Sequence, residues 1–210
     1  GDVYKRQQQL YEGVDIKGNG TVGVITYLRT DSTRISEEAD AAARSYIAET
    51  YGEAYVAEGT KTKSADKKIQ DAHEAIRPTD ITRTPAAIKD SLSRDQFRLY
   101  QLIWKRFTAS RMQPAKYETT AVKIGAGEYC FTVSTARVAF DGFRSVYVEA
   151  EEEKEESNVL VGHLSMDSVL TKEEFDPKQH FTQPPAHYTE ASLVKTMEAV
   201  SYTHLTLPTT

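Results

Sequence analysis

Hydrophobic residues in the first half of the chain recur at intervals of three and four, the spacing of one face of an α-helix. Capping and terminating residues stand at the ends of these repeats, where a hydroxyl, a proline or a glycine is expected. They are Gly13, Ser36, Gly52, Thr84 with Pro85, and Ser93 with Gln96. The clearest repeat, which contains Tyr100, Trp104 and Phe107, predicts a helix over residues 94–112 with its apolar stripe in a core.

Two shorter segments of the first half are less regular. The apolar run 22–27 follows a glycine-rich connection and predicts a short strand. A brief apolar repeat from Ile69 to Ile76 indicates one more short helix or turn, because Pro78 cannot continue a helix.

After Pro114 the pattern changes to runs of β-branched and aromatic residues, which predict strands. These runs are residues 117–124, 127–133, 136–140 and 143–149, with turns expected at Gly-Ala-Gly 125–127 and Asp141-Gly142, and the pattern continues to about residue 176. A new helix is then expected within residues 184–199, with Thr189 as its N-cap. The fold class is therefore predicted to be α+β.

The change of pattern near residue 113 predicts a division into domains. We expect a mainly helical domain at 8–113, a partial β-rich domain at 114–185 and the start of another helical domain at 186–199. The end segments, GDVYKRQ at 1–7 and VSYTHLTLPTT at 200–210, do not continue the neighbouring patterns. Both are expected to be non-native, like translated adapter sequence, and are set apart from the fold prediction.

Charge is unevenly divided along the chain, whose formal net charge is −5. Residues 8–113 carry 16 Lys and Arg against 15 Asp and Glu, whereas residues 114–199 carry 8 against 15. A phosphate-binding site in the first half must therefore be local, since no broad basic face is available.

Cys130 is the single cysteine, which excludes an internal disulfide and a multi-cysteine zinc site. The sequence has no run of about 18 apolar residues and no signal-peptide pattern at its start. We therefore expect no membrane association and a cytoplasmic location.

The run GVITYLRTDSTRIS at residues 23–36 is the strongest candidate for chemistry. If the chain stays extended through Asp31, then Tyr27, Arg29 and Asp31 project from one face. That face would place a nucleophilic phenol beside a guanidinium able to hold two phosphate oxygens. The alternative is a packing tyrosine at the end of a strand that leads into a capped helix, with Arg29 in a surface ion pair.

Four segments carry a family resemblance: ITYLRTDSTRIS, DAHEAIRPT, LYQLIWKRFTASRMQPAKY and PPAHYTEASLVKTME. In this order they resemble the type IA DNA topoisomerases over most of residues 8–199. Leu28 favours the bacterial topoisomerase I branch, because the topoisomerase III branch usually has proline there. The resemblance implies that 8–113 is the tyrosine-bearing domain of a toroidal enzyme. Residues 114–185 would then be part of the β-rich arch around its DNA gate.

The resemblance also implies a reaction. The residue matching the family's nucleophile is Tyr27, which would form a 5′-phosphotyrosyl bond with one DNA strand and release a 3′-hydroxyl. The bond energy stays in the ester, so negatively supercoiled DNA would be relaxed without ATP. A free phenol has a pKa of about 10 and needs a base or a positive field to react. Arg29 is expected to stabilise the phosphoryl group.

Further DNA contacts are expected from residues of the same segments, namely His73, Arg77, Thr26, Asp31 and Ser32. Three of them have a structural alternative. His73 could be a satisfied core histidine, and Arg77 could brace a loop together with Glu74. Asp31 could orient Arg29 or cap the following turn.

The resemblance implies Mg²⁺ as cofactor, but its ligands lie in an N-terminal Toprim domain, and no DxDxE pattern occurs here. No metal site is expected in this chain, which alone should be inactive. Two alternatives remain: a single-stranded-DNA-binding module without catalysis, and the topoisomerase III or reverse gyrase branch. The expected partners are single-stranded DNA and negatively supercoiled duplex DNA, bound by a monomer associated with the nucleoid.

Overall fold

A computed structural model describes residues 2–28, 32–58, 74–148, 165–174 and 176–201. The chain divides into two compact units, residues 1–164 and 165–210, and each is described by itself. The first unit contains helices α1 (Asp2–Glu12), α2 (Glu37–Tyr51), α3 (Pro85–Ile88) and α4 (Arg94–Ser110). Its strands are β1 (Val14–Ile16), β2 (Gly20–Val22), β3 (Lys116–Ala126) and β4 (Tyr129–Phe140). The second unit contains α5 (Glu190–Ser201).

The helix ends lie where the capping residues predict them. Ser36 accepts a hydrogen bond from the backbone N–H of Ala39 at the start of α2, and Gly52 ends that helix. At the start of α4, Ser93 and Gln96 exchange the two hydrogen bonds of a capping box. These predictions are confirmed, although α4 ends at Ser110, two residues earlier than predicted.

Helix α1 runs from Asp2 to Glu12 and therefore includes residues that the sequence pattern set apart as a non-native lead. Arg6 forms an ion pair of 2.7 Å with Asp95 on α4. Leu10 is fully buried, and Gly13 follows the helix with a φ of 139°. The predicted helix end at Gly13 is confirmed, while the foreign origin of residues 1–7 stays a prediction.

One hydrophobic core joins α1, α2, α4 and the small β1–β2 hairpin. Its buried members are Leu10, Val14, Ile16, Val24, Ile25, Ala43, Ile47, Ile81, Ile88, Tyr100, Trp104, Phe107, Met112 and Val146. The ring of Trp104 meets Tyr46 edge-on at 5.8 Å, and its Nε1 donates to the carbonyl of Ile81 at 2.9 Å. The predicted apolar stripe of α4 is thus confirmed as core.

Strands β3 and β4 form a long antiparallel hairpin, paired from Lys116 with Phe140 to Ala126 with Tyr129. The hairpin confirms the β-rich pattern of residues 116–140, and Gly127, in the turn, has a φ of 62°. Most of its side chains are exposed on both faces.

The strand predicted at residues 143–149 is wrong in its first part, because Gly142–Ser145 form a 3₁₀ turn. Gly142 has a φ of 49°, and a Cβ there would overlap the carbonyl oxygen of Gln113. The N–H of Phe143 donates to that same carbonyl at 2.9 Å, and Val146 is buried. The chain therefore turns back onto the helical core instead of continuing as a strand.

The β-rich pattern predicted up to about residue 176 is also wrong for residues 165–174, which contain no strand. Met166 and Val169 are 92% and 95% exposed, so their apolar side chains gain nothing there from sheet packing. Helix α5 in the same unit is confirmed, with the hydroxyl of Thr189 accepting from the N–H of Ser192 at 3.2 Å.

Candidate active site

The segment that leads to Tyr27 is held by residues far along the chain. Ile25 and Pro78 form an antiparallel bridge. The N–H of Thr26 donates to the carbonyl of Arg77 at 2.9 Å, and the N–H of Thr79 donates to that of Val24 at 3.0 Å. Val24 and Ile25 are both buried. The predicted strand at 22–27 is therefore only β2 (Gly20–Val22) plus this short extended bridge.

Thr26 ties this pairing together with its side chain. Its hydroxyl donates to the carbonyl of Ala75 at 2.8 Å and accepts from the N–H of Arg77 at 2.9 Å. Both hydrogen-bonding roles of the hydroxyl are thus engaged with backbone of the 75–77 segment. Thr26 was predicted as a DNA contact, and that role stays a prediction beside the structural one seen here.

Tyr27 follows directly and points outward, with 53% of the residue exposed. Its ring meets that of Tyr11 at the end of α1, with centroids 5.4 Å apart and planes at 67°. An open cavity of about 410 Å³ adjoins both rings. Its lining residues are Tyr11, Gly23, Ile25, Thr26, Tyr27, Glu74 and Thr79. An exposed phenol on a fixed backbone beside a cleft is an arrangement that a nucleophile requires.

Arg77 lies mostly inside the protein, with 13% of its side chain exposed. Its guanidinium pairs with Glu74 at 2.8 Å and donates to the carbonyl of Pro78 at 3.0 Å. A longer contact of 3.5 Å reaches the hydroxyl of Ser36, the N-cap of α2. These contacts favour the bracing alternative for Arg77, and its contact with DNA stays a prediction.

Glu74 lines the cavity and is held as a carboxylate. Burial alone would raise the pKa of Glu74, but the hydrogen bond and charge of Arg77, helped by Ser36 and Arg34, lower it below its usual value. A carboxylate that is ionised and paired is a weak general base near neutral pH. Glu74 therefore fixes the loop beside Tyr27 and adds negative charge to the cleft.

Ser32 is the one remaining predicted site residue within the described parts of the chain. Ser32 is buried, and its hydroxyl accepts from the N–H of Arg34 at 3.1 Å, as in a local turn. Arg29, Asp31 and His73 lie outside the described residues. Their predicted roles, and the common face of Tyr27, Arg29 and Asp31, stay predictions.

The described parts of the chain contain no group of three or more His, Cys, Asp or Glu side chains suited to a metal ion. The acidic residues at the cleft offer only Glu74, which is already paired with Arg77. The site as described therefore does not fit a magnesium ion held by this chain alone. In the same described ranges, no helix has the length and apolar character that crossing a membrane requires.

Sequence reasoning missed two residues of the cleft, Tyr11 and Thr79. Tyr11 lies two positions before the helix end predicted at Gly13, and the hydroxyl of Thr79 donates to the carbonyl of Gly23 at 2.9 Å. The sequence signal that could have found them was the glycine at position 23 inside the apolar run 22–27, since a close backbone approach often needs glycine.

Comparison with known proteins defines the class. A sequence profile described as DNA topoisomerase matches residues 2–201. The chain belongs to this family, in its bacterial type IA branch, as the four quoted segments predict.

Among solved structures, full-length topoisomerase I from Thermotoga maritima is similar at 35% sequence identity, with a TM-score of 0.66. The similarity covers 94% of this chain and 31% of the Thermotoga protein. The chain thus spans about a third of that relative, and it contains mixed helix and strand structure as predicted.

Proposed function

We propose that this chain is the tyrosine-bearing part of a DNA topoisomerase I that cleaves and rejoins one DNA strand through Tyr27. The observation that carries the proposal is the position of Tyr27. Its half-exposed side chain lies beside an open cleft. The backbone before it is held by hydrogen bonds of Val24 and Thr26, one on each side of Ile25. Membership of the DNA topoisomerase family supplies the reaction class.

The chemistry is a phosphoryl transfer. The Oη of Tyr27 attacks the phosphorus, the bond from phosphorus to the 3′-oxygen breaks, and a 5′-phosphotyrosyl ester forms. The phenol loses one proton and the departing oxygen gains one, so the product end is a 3′-hydroxyl. Rejoining reverses each step, and no ATP is consumed because the ester keeps the bond energy. Passage of DNA through the break would relax negative supercoils.

Charge stabilisation has to accompany the transfer, since phosphoryl oxygens carry the developing charge. Arg29 follows Tyr27 by two positions, and its guanidinium is proposed to hold those oxygens in a fork. His73 is proposed to contact the DNA phosphate, since it precedes Glu74 of the cleft. Thr26, Asp31, Ser32 and Arg77 are proposed as weaker or supporting contacts.

A magnesium ion, when bound in the whole protein, would neutralise phosphate charge near the reacting strand. Its ligands and the proton donor for the 3′-oxygen are proposed to lie in a Toprim domain outside this chain. We assign no step through the metal to the described residues. The partners follow from the reaction: single-stranded DNA at the cleft and negatively supercoiled duplex DNA as substrate, handled by a cytoplasmic, nucleoid-associated monomer.

The test is Tyr27→Phe in the full-length protein that contains this chain. Removing only the hydroxyl should abolish the covalent adduct trapped by denaturant on 5′- and 3′-end-labelled single-stranded DNA, while DNA affinity is unchanged. Tyr129→Phe, at an exposed tyrosine of the β3–β4 hairpin, is the matched control and should retain the adduct. A Tyr27→Phe protein that still forms the 5′-linked adduct would exclude Tyr27 as the nucleophile.

A second candidate function, for the 210-residue chain by itself, is a DNA-binding module without catalysis, because Glu74, the acidic residue that lines the cleft, is already paired with Arg77. We expect that chain to bind single-stranded DNA weakly, with a shallow salt dependence because residues 8–113 carry almost balanced charge. It should relax no supercoiled plasmid over a magnesium series, run beside the full-length protein. Relaxation by the chain alone would show that the chemistry needs no Toprim domain.

A further inference from the structure

Tyr11 touches the proposed nucleophile from a different element of the fold. It lies at the end of α1, sixteen positions before Tyr27, and is separated from it by the β1–β2 hairpin. The two rings meet near the edge-on geometry that aromatic quadrupoles prefer, with centroids 5.4 Å apart and an interplanar angle of 67°. The contact covers one flank of a side chain that is otherwise half exposed.

The backbone next to Tyr11 is hydrogen-bonded to the extended segment that leads to Tyr27. The N–H of Val24 donates to the carbonyl of Leu10 at 2.8 Å, and Leu10 is itself fully buried. The helix end is closed by the N–H of Gly13, which donates to the carbonyl of Gln9 at 3.0 Å. The backbone next to Tyr11 is thus held in place, because Leu10 is both buried in the core and hydrogen-bonded to Val24.

Gly23 makes this close approach possible. A Cβ on Gly23 would lie only 2.5 Å from the carbonyl oxygen of Tyr11, which no real side chain tolerates. The obstructing atom belongs to the backbone of Tyr11, so the overlap could be relieved only if α1 and the segment around Gly23 moved apart. The glycine at position 23 therefore permits the close approach of α1 on which the contact between the two tyrosine rings depends.

We propose that Tyr11 is a positioning residue, whose ring holds the phenol of Tyr27 in the direction from which it attacks phosphorus. The inference rests on the proposed function of Tyr27 and adds a residue to it. A phenol oxygen lies at the far end of a side chain with two rotatable bonds, so a change of rotamer carries it away from the phosphate. Reaction needs the two atoms within about 3–3.5 Å, and a misplacement of about 1 Å can cost about 100-fold in rate.

The experiment uses the full-length protein with Tyr11→Leu, Tyr11→Phe and Gly23→Ala, beside Tyr129→Leu as control for loss of an exposed tyrosine ring. Adduct formation is followed under single-turnover conditions on an end-labelled oligonucleotide, and DNA affinity by fluorescence anisotropy. Tyr11→Leu should slow adduct formation about 10- to 100-fold with unchanged affinity and unchanged melting temperature. Tyr11→Phe keeps the ring and should restore the rate, whereas Tyr129→Leu should react like the unaltered protein.

Gly23→Ala keeps both tyrosines and should reproduce the slow reaction of Tyr11→Leu. A Tyr11→Leu protein that reacts at the full rate would overturn the proposal, as would an equal loss of affinity and rate. A Tyr11→Phe protein as slow as Tyr11→Leu would show that the hydroxyl matters and not the ring. Tyr27→Phe, assayed in parallel, separates the two ideas, since an adduct in that variant would remove the proposed function itself.

Discussion

The helical part of the first unit and the β3–β4 hairpin obtain their structure in different ways. The helices bury Leu10, Tyr100 and Trp104 in a shared core. The hairpin is held chiefly by its own ladder, and its tip residue Tyr129 is 76% exposed. An isolated two-stranded ribbon is at best marginally stable in water, whereas burial of apolar side chains in a core is the dominant favourable contribution to folding. The helical part thus has a hydrophobic core of its own, whereas the side chains of the hairpin are mostly exposed on both faces.

Trp104→Ala tests the packed side of this comparison and should have the largest effect. It removes a buried ring, its contact with Tyr46 and its hydrogen bond to Ile81, and should cost about 3–5 kcal/mol of the free energy of unfolding. Tyr129→Ala, in the hairpin, should change it by less than about 0.5 kcal/mol. Urea unfolding measures both free energies. It is followed by circular dichroism, because Trp104 is the single tryptophan and Trp104→Ala has no tryptophan fluorescence to follow. Equal losses would contradict the comparison.

Gly142→Ala tests the turn that joins the hairpin to the helical core. The φ of 49° and the overlap with the Gln113 carbonyl should together lower the free energy of unfolding by about 1–3 kcal/mol. Gly125→Ala is the control, because no atom lies within 4 Å of its Cβ position in β3. The urea midpoint should fall for Gly142→Ala only. If Gly142→Ala left the urea midpoint unchanged, the junction between hairpin and helical core would be able to shift without loss of stability.

Asp40→Asn compares an ion pair of the helical part with one of the hairpin. Asp40 contacts Arg44 at 2.6 Å and Arg111 at 2.9 Å, and its loss should cost about 1–2 kcal/mol. Glu118→Gln removes a pair with Arg137 whose side chains are 56% and 79% exposed, and should cost between about 0 and 1 kcal/mol.

The effect of Asp40→Asn on stability depends on pH. Burial would raise the pKa of Asp40, but the hydrogen bonds and charges of Arg44 and Arg111 outweigh it and lower the pKa. The stabilisation is therefore present above the unfolded-state pKa of about 3.9 and is lost as pH falls through the lower folded-state value. Urea midpoints should show a constant gap between the unaltered chain and Asp40→Asn at pH 6 and 7. The gap should close below about pH 4; a gap that persists there would assign the effect to packing.

Sequence reasoning reached the helix ends because capping is local. Ser36, Ser93 and Thr189 each bond to a backbone N–H three positions later, so the pattern alone contains the answer. The strand expected at residues 143–149 failed because the deciding contact, between Gly142 and Gln113, joins residues separated by the whole hairpin. Tyr11 escaped notice for the same reason, since its partner Tyr27 becomes a neighbour only after the chain has folded back.

The pairing of Thr26 with Arg77 also bears on when, during synthesis, the backbone beside Tyr27 takes its position. These residues are 51 positions apart, and closing so long a loop is entropically unfavourable until its contacts form. Helix α2 lies between them and can form early through its own local bonds. A ribosome adds about 5–20 residues each second, so Arg77 is synthesised about 3–10 seconds after Thr26. Tyr27 is thus synthesised early in its unit, and the backbone contacts beside it close only once residues 77–79 have been made.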